Sequence, residues 1–426
     1  MLFSDKVKTV AREVIADFRW HQVFVILALM GLSLLSIYSA TCKDENVIPK
    51  AVYGQLKWFG IGLALYFFVS LVDYHWFCRK AWFPYLAVLG LLYAVLKMGK
   101  KMYGAYRWIE WHGITVQPSE FAKLTVLLLL CHYLSKSMGT LNEWRRLTIA
   151  CLLFLIPACL INKEPDLGTA LVVVGIGFVL LFLAGAPHRF FIYLGAGALC
   201  ILPLLICDTY RYNNHLKKIA SQKSAKSSSW VTAEKTPGAK PRDEAQKKNA
   251  PPGFKSILHL KPHQLDRVLV LVAPGQLDPL GKRWNRDQSL IAIGSGGLYG
   301  KGWRKGDVTR GGYLPGTVSH NDFIFAVFAE ENGFVGGVIL TGLYAILLLG
   351  GGRIATKAGD SLGMLLAGGI TFLLFFHVFV NIGMTLGVLP IVGVPLPLMS
   401  YGGSFVVVCM ICLGLLQSVW LHRKPY

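Results

Sequence analysis

The chain has 426 residues, 54% of them hydrophobic and only 15% charged, with a formal net charge of +20. That much apolar surface cannot be buried in one water-solvated core, so soluble fold classes are excluded and lipid must solvate most of the chain. The charge is local: about twenty of the 43 Lys and Arg residues lie between positions 207 and 320, with no nucleic-acid recognition pattern beside them, so they point to anionic headgroups or a phosphate-bearing substrate and not to nucleic acid.

In chain order, the basic residues Lys6, Lys8, Arg12 and Arg19 precede an apolar run from Val23 to Ala40. The residues before Cys42 do not form the usual leader cleavage pattern and further apolar runs follow at once, so this run reads as the first span. Six more follow: Trp58–Val72, Ala81–Leu96, Phe121–Leu134, Ile149–Ile161, Leu167–Ala184 and Phe191–Cys207. A bilayer core takes about 20 apolar residues per helix, so the shorter runs between 121 and 161 predict helices extended by polar ends that lie against protein. After a long polar interval come Phe323–Gly350, Leu362–Met384 and Phe405–Leu421.

The fold predicted is an all-α integral membrane protein of about ten transmembrane helices. Residues 1–206 hold spans 1–7, residues 207–322 form one large extracytoplasmic loop, and residues 323–426 hold spans 8–10. An even number of spans puts both termini on one side, and the N-terminal cluster, Arg79 with Lys80, Arg145 with Arg146, and Arg423 with Lys424 make that side the cytoplasm of a bacterial inner membrane. Within the loop, the Lys-, Ser- and Pro-rich stretch near 219–253 is expected to be disordered, whereas His259–His320 mixes apolar residues with many glycines and is expected to be ordered. The nine cysteines fall mostly in apolar runs and imply no disulfide framework; Cys409 and Cys412 are fillers of the last span.

Four polar constellations, far apart in sequence, fall at the outer edge in this topology. The first holds Arg107 and Trp108, then Gln117-Pro118-Ser119-Glu120-Phe121-Ala122-Lys123, in which Pro118 and Ser119 start a helix and Glu120 and Lys123 share one face. A carboxylate and an ammonium entering a membrane helix either line a polar site or form an ion pair that fixes one helix in the bundle. The second is Lys163-Glu164-Pro165-Asp166-Leu167-Gly168-Thr169, where Asp166 can cap a helix.

The third contains Asp278-Pro279, Gln288 and Ser289, and the glycine-dense Gly294–Trp303; it is not a Walker loop, and Asp278 taken alone reads as a turn aspartate. The fourth joins His320, Asn321 and Asp322 to Glu330, Glu331, His377 and Asn381, the last two read as interhelical hydrogen-bonding residues. The run from Gly387 to Pro397 cannot be helical, so it must line a cavity or pack inside protein.

At these segments the chain resembles the SEDS family (shape, elongation, division and sporulation), the polytopic glycan polymerases of bacterial wall synthesis. The resemblance is carried by Gly-Ala-Tyr-Arg-Trp-Ile from 104, Gln-Pro-Ser-Glu-Phe-Ala-Lys from 117, Pro-Asp-Leu-Gly-Thr from 165, Asp-Pro-Leu-Gly from 278, Gln-Ser-Leu-Ile-Ala-Ile-Gly from 288 and the segment beginning at Ser400. Gly-Lys-Gly-Trp from 300 and the Pro390–Pro397 run follow the elongation branch more than the division branch. The resemblance implies transfer of a growing glycan onto lipid II, with undecaprenyl pyrophosphate as leaving group. It also implies a class B penicillin-binding protein as transpeptidase partner, beside other membrane proteins of the elongation complex.

The family's catalytic aspartate maps to Asp278, and its sensitive tryptophan, glutamate and lysine map to Trp108, Glu120 and Lys123. An acceptor hydroxyl needs a carboxylate base, and a departing pyrophosphate needs cations, for which Lys123, Arg107 and Arg267 are the candidates, with a divalent ion (Mg or Mn) as substitute. Gln288, Ser289, His320, Asp322 and Ser400 complete the expected substrate-binding set. Two departures stand out: Pro315 is followed by Gly316 and a longer spacer before His320, and the basic insertion is long. Rival readings are a lipid II flippase, against which the sequence offers no inverted repeat, a division-type polymerase, and a scaffold.

Overall fold

The computed structural model describes residues 16–42, 48–98, 100–102, 105–111, 114–164, 166–228, 256–257, 265, 269, 284–313 and 319–423. The chain divides into two units, one formed by Met1–Pro187, Gln288–Leu386 and Val392–Tyr426, the other by His188–Asp287 and Gly387–Ile391.

The larger unit is a helical bundle. Its helices are α1 (Trp20–Thr41), α2 (Lys50–Leu71), the short α3 (Tyr74–Arg79), α4 (Trp82–Met98), α5 (Pro118–Ser137), α6 (Trp144–Lys163) and α7 (Leu167–Leu183). The second unit contributes α8 (His188–Ser228), and α9 (Trp284–Ser295) begins in that unit and ends in the larger one. The larger unit then adds α10 (Asp307–Arg310), α11 (Ile324–Thr356), α12 (Ser361–Thr385) and α13 (Gly403–Leu421). Among the described residues seven helices are long and apolar enough to cross a membrane: α1, α2, α6, α8, α11, α12 and α13. Helices α4 and α7 are apolar but shorter, and α5 is 20 residues long with Glu120 and Lys123 in it.

The core lies around α13 and α5, which are apolar on nearly every side and buried on nearly every side, as helices surrounded by other helices must be. Close approach is made by small residues: a Cβ at Gly62 of α2 would meet Met410, and one at Gly414 of α13 would meet the Tyr66 carbonyl, so α2 and α13 pack almost backbone to backbone. The outward faces carry Phe24, Phe68, Leu86, Phe182 and Phe379, all exposed, which is the surface that lipid solvates.

An all-α expectation misses one feature. Between α4 and α5 the chain forms a three-stranded antiparallel meander, β1 (Lys100–Met102), β2 (Ala105–Trp111) and β3 (Ile114–Val116), with Lys100 opposite Trp108 and Ile109 opposite Val116. The aromatic and β-branched composition of 105–116 favours strands, and the meander carries Arg107 and Trp108 on β2.

In the second unit, α8 continues to Ser228, so the helix runs on where a loop is expected from 207. Asp208, fully buried, accepts hydrogen bonds from Ser256 Oγ at 2.5 Å and from the Ile257 amide at 2.9 Å. Tyr212, Leu265 and Leu269 form a small apolar cluster with Leu216 at its edge. These contacts hold the described pieces of the interval to α8.

Candidate active site

The site is assembled from three of the four polar segments, at the end of the larger unit where α5 and α7 begin. Pro118 at the first turn of α5 has no amide to lose, which lets the helix start there and sets Glu120 in the first turn, where the helix dipole favours a carboxylate. One turn on, Lys123 Nζ lies 2.8 Å from Glu120 Oε2, and the two residues are 1% and 4% exposed. The ammonium also sits 3.1 Å from His377 Nε2 of α12 and 5.1 Å above the Phe405 ring of α13. His377 Nδ1 lies 3.0 Å from the Pro395 carbonyl, which can only accept, so the proton is on Nδ1 and Nε2 accepts from the lysine. Three helices are thereby tied at one buried cation.

Beside that knot lies a second, more open one. Gln117 Nε2 bridges Ser119 Oγ at 2.9 Å and Asp166 Oδ2 at 3.0 Å. Asp166 caps α7, its other oxygen accepting from the Thr169 amide at 3.2 Å. From β2, Arg107 donates to the Glu164 carbonyl at 3.0 Å and brings a guanidinium nitrogen to 3.9 Å from Asp166, with its side chain 26% exposed. Trp108 is half-buried on the same strand. Glu164 is 1% exposed, and neither of its carboxyl oxygens has a hydrogen-bond partner among the described residues. Burial, and then the Asp166 charge, push its pKa up to about 8 against the pull of Arg107.

The segment 392–400 threads between these knots without helical structure, and its polar backbone is satisfied from all sides. Asn381 donates to the Val394 carbonyl at 2.8 Å and the Asp322 carbonyl at 2.9 Å, Tyr344 to Pro397 at 2.5 Å, and Ser33 to Met399 at 2.8 Å. Ser400 accepts from the Leu396 amide at 2.8 Å and donates to the Asn321 carbonyl at 2.6 Å, while the Tyr401 amide donates to His320 at 2.9 Å. Irregular backbone at membrane depth is stable only with such partners inside the protein, which is the packing the proline-rich run demanded.

Of the expected residues, Arg107, Glu120, Lys123 and Ser400, with the backbone carbonyls of His320 and Asp322, therefore stand in one network with Gln117, Asp166, His377 and Asn381, and Trp108 follows Arg107 on β2. Ser289 reaches it from α9 only through the end of α12, donating to the Thr385 carbonyl at 2.9 Å, with Gln288 buried next to it. Asp278, Arg267, Pro315, Gly316 and residues 229–250 lie outside the described residues. For Glu120 and Lys123, read either as a site lining or as an ion pair fixing a helix, the observed geometry is the ion pair: Lys123 is enclosed by Glu120, His377 and Phe405 and offers no open face to a diphosphate. Arg107, held by Glu164 and Asp166, keeps 26% of its side chain exposed.

Glu330 and Glu331 belong to a separate clamp. Glu330, fully buried in α11, accepts from Lys301 Nζ at 3.0 Å, the Val308 amide at 2.9 Å and Thr309 Oγ1 at 2.9 Å; Glu331 accepts from the Ser39 hydroxyl and from the Arg304 amide at 3.0 Å. The helix breaks at Gly333, whose φ is 66°, and the freed Phe334 and Val335 amides donate to Gly297 and Leu298 at 2.9 and 3.0 Å. The glycine-dense segment is thus docked on a helix break. Sequence reading found Glu330 and Glu331 as intramembrane ionisable residues, but not this partner.

The Cell cycle protein family of FtsW, RodA and SpoVE matches residues 20–237 and 253–425 of the chain. The peptidoglycan glycosyltransferase RodA of Treponema pallidum is 35% identical, covering 95% of this chain and 98% of its own length, and the peptidoglycan glycosyltransferase MrdB of Escherichia coli is 34% identical, covering 94% and 93%. Among solved structures, a peptidoglycan synthase complex that coordinates polymerization and crosslinking contains a chain 29% identical at a TM-score of 0.71, covering 96% of this chain and 99% of that one. Thermus thermophilus RodA is 27% identical at 0.62, covering 96% and 98%.

Proposed function

Because the chain belongs to the FtsW, RodA and SpoVE family, we propose that it is a RodA-like peptidoglycan glycosyltransferase that polymerises lipid II into glycan strands. The observation that carries the reading is the meeting of Arg107, Gln117, Asp166 and the Glu120–Lys123–His377 knot at one end of the bundle. In this reaction the acceptor sugar hydroxyl attacks the anomeric carbon of the pyrophosphate-linked chain. The C–O bond to the polymer forms as the bond to pyrophosphate breaks, the hydroxyl proton goes to a carboxylate base, and cations hold the departing diphosphate.

Asp278 is the base in this reading, on its motif alone. Arg107 is the diphosphate contact supported by its exposure, and Arg267 is the second. Lys123 acts by holding Glu120 and α12 in place around that contact. Among the described residues no three carboxylate, imidazole or thiol groups stand together as metal ligands; a divalent cation sharing the neutralisation would be held chiefly by the substrate's own phosphates. The partners that suit the reading are a class B penicillin-binding protein and other membrane proteins of the elongation complex, with the active site on the extracytoplasmic face and both termini in the cytoplasm.

Purified protein given lipid II is expected to make polymer, and Asp278→Asn protein of unchanged thermal midpoint is expected to make none. Polymer from that variant at the parent rate removes Asp278 from the mechanism. Translocation of labelled lipid II in liposomes without polymer would replace the polymerase reading by the flippase one.

A further inference from the structure

The end of the larger unit remote from Gln117 and Ser400 carries a polar constellation that the reaction leaves unused. Asp73 caps α3, accepting from the His75 amide at 3.0 Å, and its Oδ1 is 2.8 Å from His75 Nδ1. His75 Nε2 lies 3.1 Å from Asp360 Oδ2 at the start of α12; the other Asp360 oxygen accepts from Tyr74 Oη at 2.6 Å and from the Gly363 amide at 2.9 Å. Burial alone would lower the His75 pKa, but the two carboxylates outweigh it and raise it, and the ring bridges the two aspartates.

Next to it opens a cavity of about 370 Å³ lined by His75, Arg79, His132, Ser135, Lys136 and Asp360. The one carboxylate on its wall is Asp360, which is engaged by Tyr74, His75 and the Gly363 amide. Arg79 of α3 and Lys136 of α5 have no acidic partner within 4 Å among the described residues, and the His132 ring has no hydrogen-bond partner there. Two cations from different helices thus face one space without an ion-pair partner within 4 Å among the described residues, beside the His132 ring and the Ser135 hydroxyl, which donates to the His132 carbonyl at 3.0 Å. On the same short helix as Arg79 and at the start of the next one, Trp76 is 57% exposed and Trp82 49% exposed. Tryptophans left outside the core at helix ends mark the boundary between headgroups and hydrocarbon.

We propose that this pocket binds the phosphate headgroup of an anionic membrane lipid, in the leaflet opposite the candidate active site, with Arg79 and Lys136 as charge contacts and the His132 ring as a donor. An unpaired cation pair at headgroup depth attracts such a lipid more strongly than scattered surface charge does, because both charges act on one phosphate in a partly desolvated space. Free inorganic phosphate offers the same chemistry, and the aromatic flank favours the lipid.

The test uses full-length protein in phosphatidylcholine nanodiscs titrated with phosphatidylglycerol, with retained lipid counted by native mass spectrometry. The Arg79→Gln/Lys136→Gln protein is expected to bind the most tightly held phosphatidylglycerol roughly 30-fold more weakly, about fivefold for each cation removed. Lys136→Arg protein should retain it, and so should an Arg353→Gln/Lys357→Gln control that removes two charges from the same end. Equal retention by the double variant and its parent overturns the proposal, as does equal loss in the control. Displacement of the lipid by millimolar inorganic phosphate would overturn the lipid assignment in favour of free phosphate. Thermal midpoints of all variants, read from tryptophan fluorescence, separate lost binding from lost folding.

Discussion

Glu164→Gln should make the protein more stable at neutral and alkaline pH, and by an amount the structure sets. Both Glu164 carboxyl oxygens are buried without a hydrogen-bond partner among the described residues, and Asp166 stands two positions away. Burial and that neighbouring charge push its pKa up to about 8, while an unfolded glutamate titrates near ~4.3. The folded protein therefore holds a proton that the unfolded chain gives up. Stability from this group is fully present below about pH 4.3 and is lost as pH rises toward about 8.

At about 1.4 kcal/mol per unit, the loss by pH 7 is roughly 3.5 kcal/mol. Glutamine has nothing to titrate and escapes it. Thermal midpoints of the detergent-solubilised parent and variant, taken by tryptophan fluorescence at pH steps from about 5 to 9, should lie close together at the acid end. They should part by several degrees at the alkaline end, with the variant higher. Two curves separated by a constant offset across that range would refute the argument.

Lys123→Met should lower stability by about 3–5 kcal/mol, because it strands the buried Glu120 carboxylate, whereas Glu120→Gln/Lys123→Met should recover most of it while polymerisation of lipid II stays impaired. Thermal midpoint and polymer yield measured on the same samples separate the two effects. Asn381→Ala leaves the Asp322 and Val394 carbonyls without their donor and should cost roughly 1–3 kcal/mol for each group, read as a lowered midpoint and faster protease cleavage near residue 394. Gly333→Ala meets both a φ of 66° and a clash with the Gly300 amide, so it should cost at least ~1–3 kcal/mol and expose the 296–313 segment to limited proteolysis.

Much of the fold was legible because its signals are local. Pro118-Ser119-Glu120 announces the start of α5 and Asp166 the cap of α7, and the structure has both. The last three apolar runs coincide with α11, α12 and α13 to within a few residues at most ends. The meander of 100–116 was not legible, since a short strand carries weak periodicity beside the hydropathy of its neighbours. The continuation of α8 past 207 was missed for a related reason: polar, lysine-rich residues read as loop, although Lys, Gln and Ala are also compatible with helix.

The candidate site divides the same way. The residue types and their spacing within each motif are properties of the chain, and they were enough to single out Arg107, Glu120, Lys123, His377 and Asn381. Which of them would meet was not. Lys123 and His377 are 254 positions apart, and nothing in either motif specifies that the imidazole accepts from that ammonium or that Pro395 sets its tautomer.

By itself the sequence determined that the chain spans a membrane and where its polar segments sit, because partition between water and lipid depends on the composition of about 20 consecutive residues. The tertiary structure alone decided that Lys123 is an enclosed anchor while Arg107 stays partly exposed, and that a proline-rich run can pack without helical structure inside the bundle. The energy of a buried charge or carbonyl depends on partners brought from distant helices, and no local window of sequence contains them.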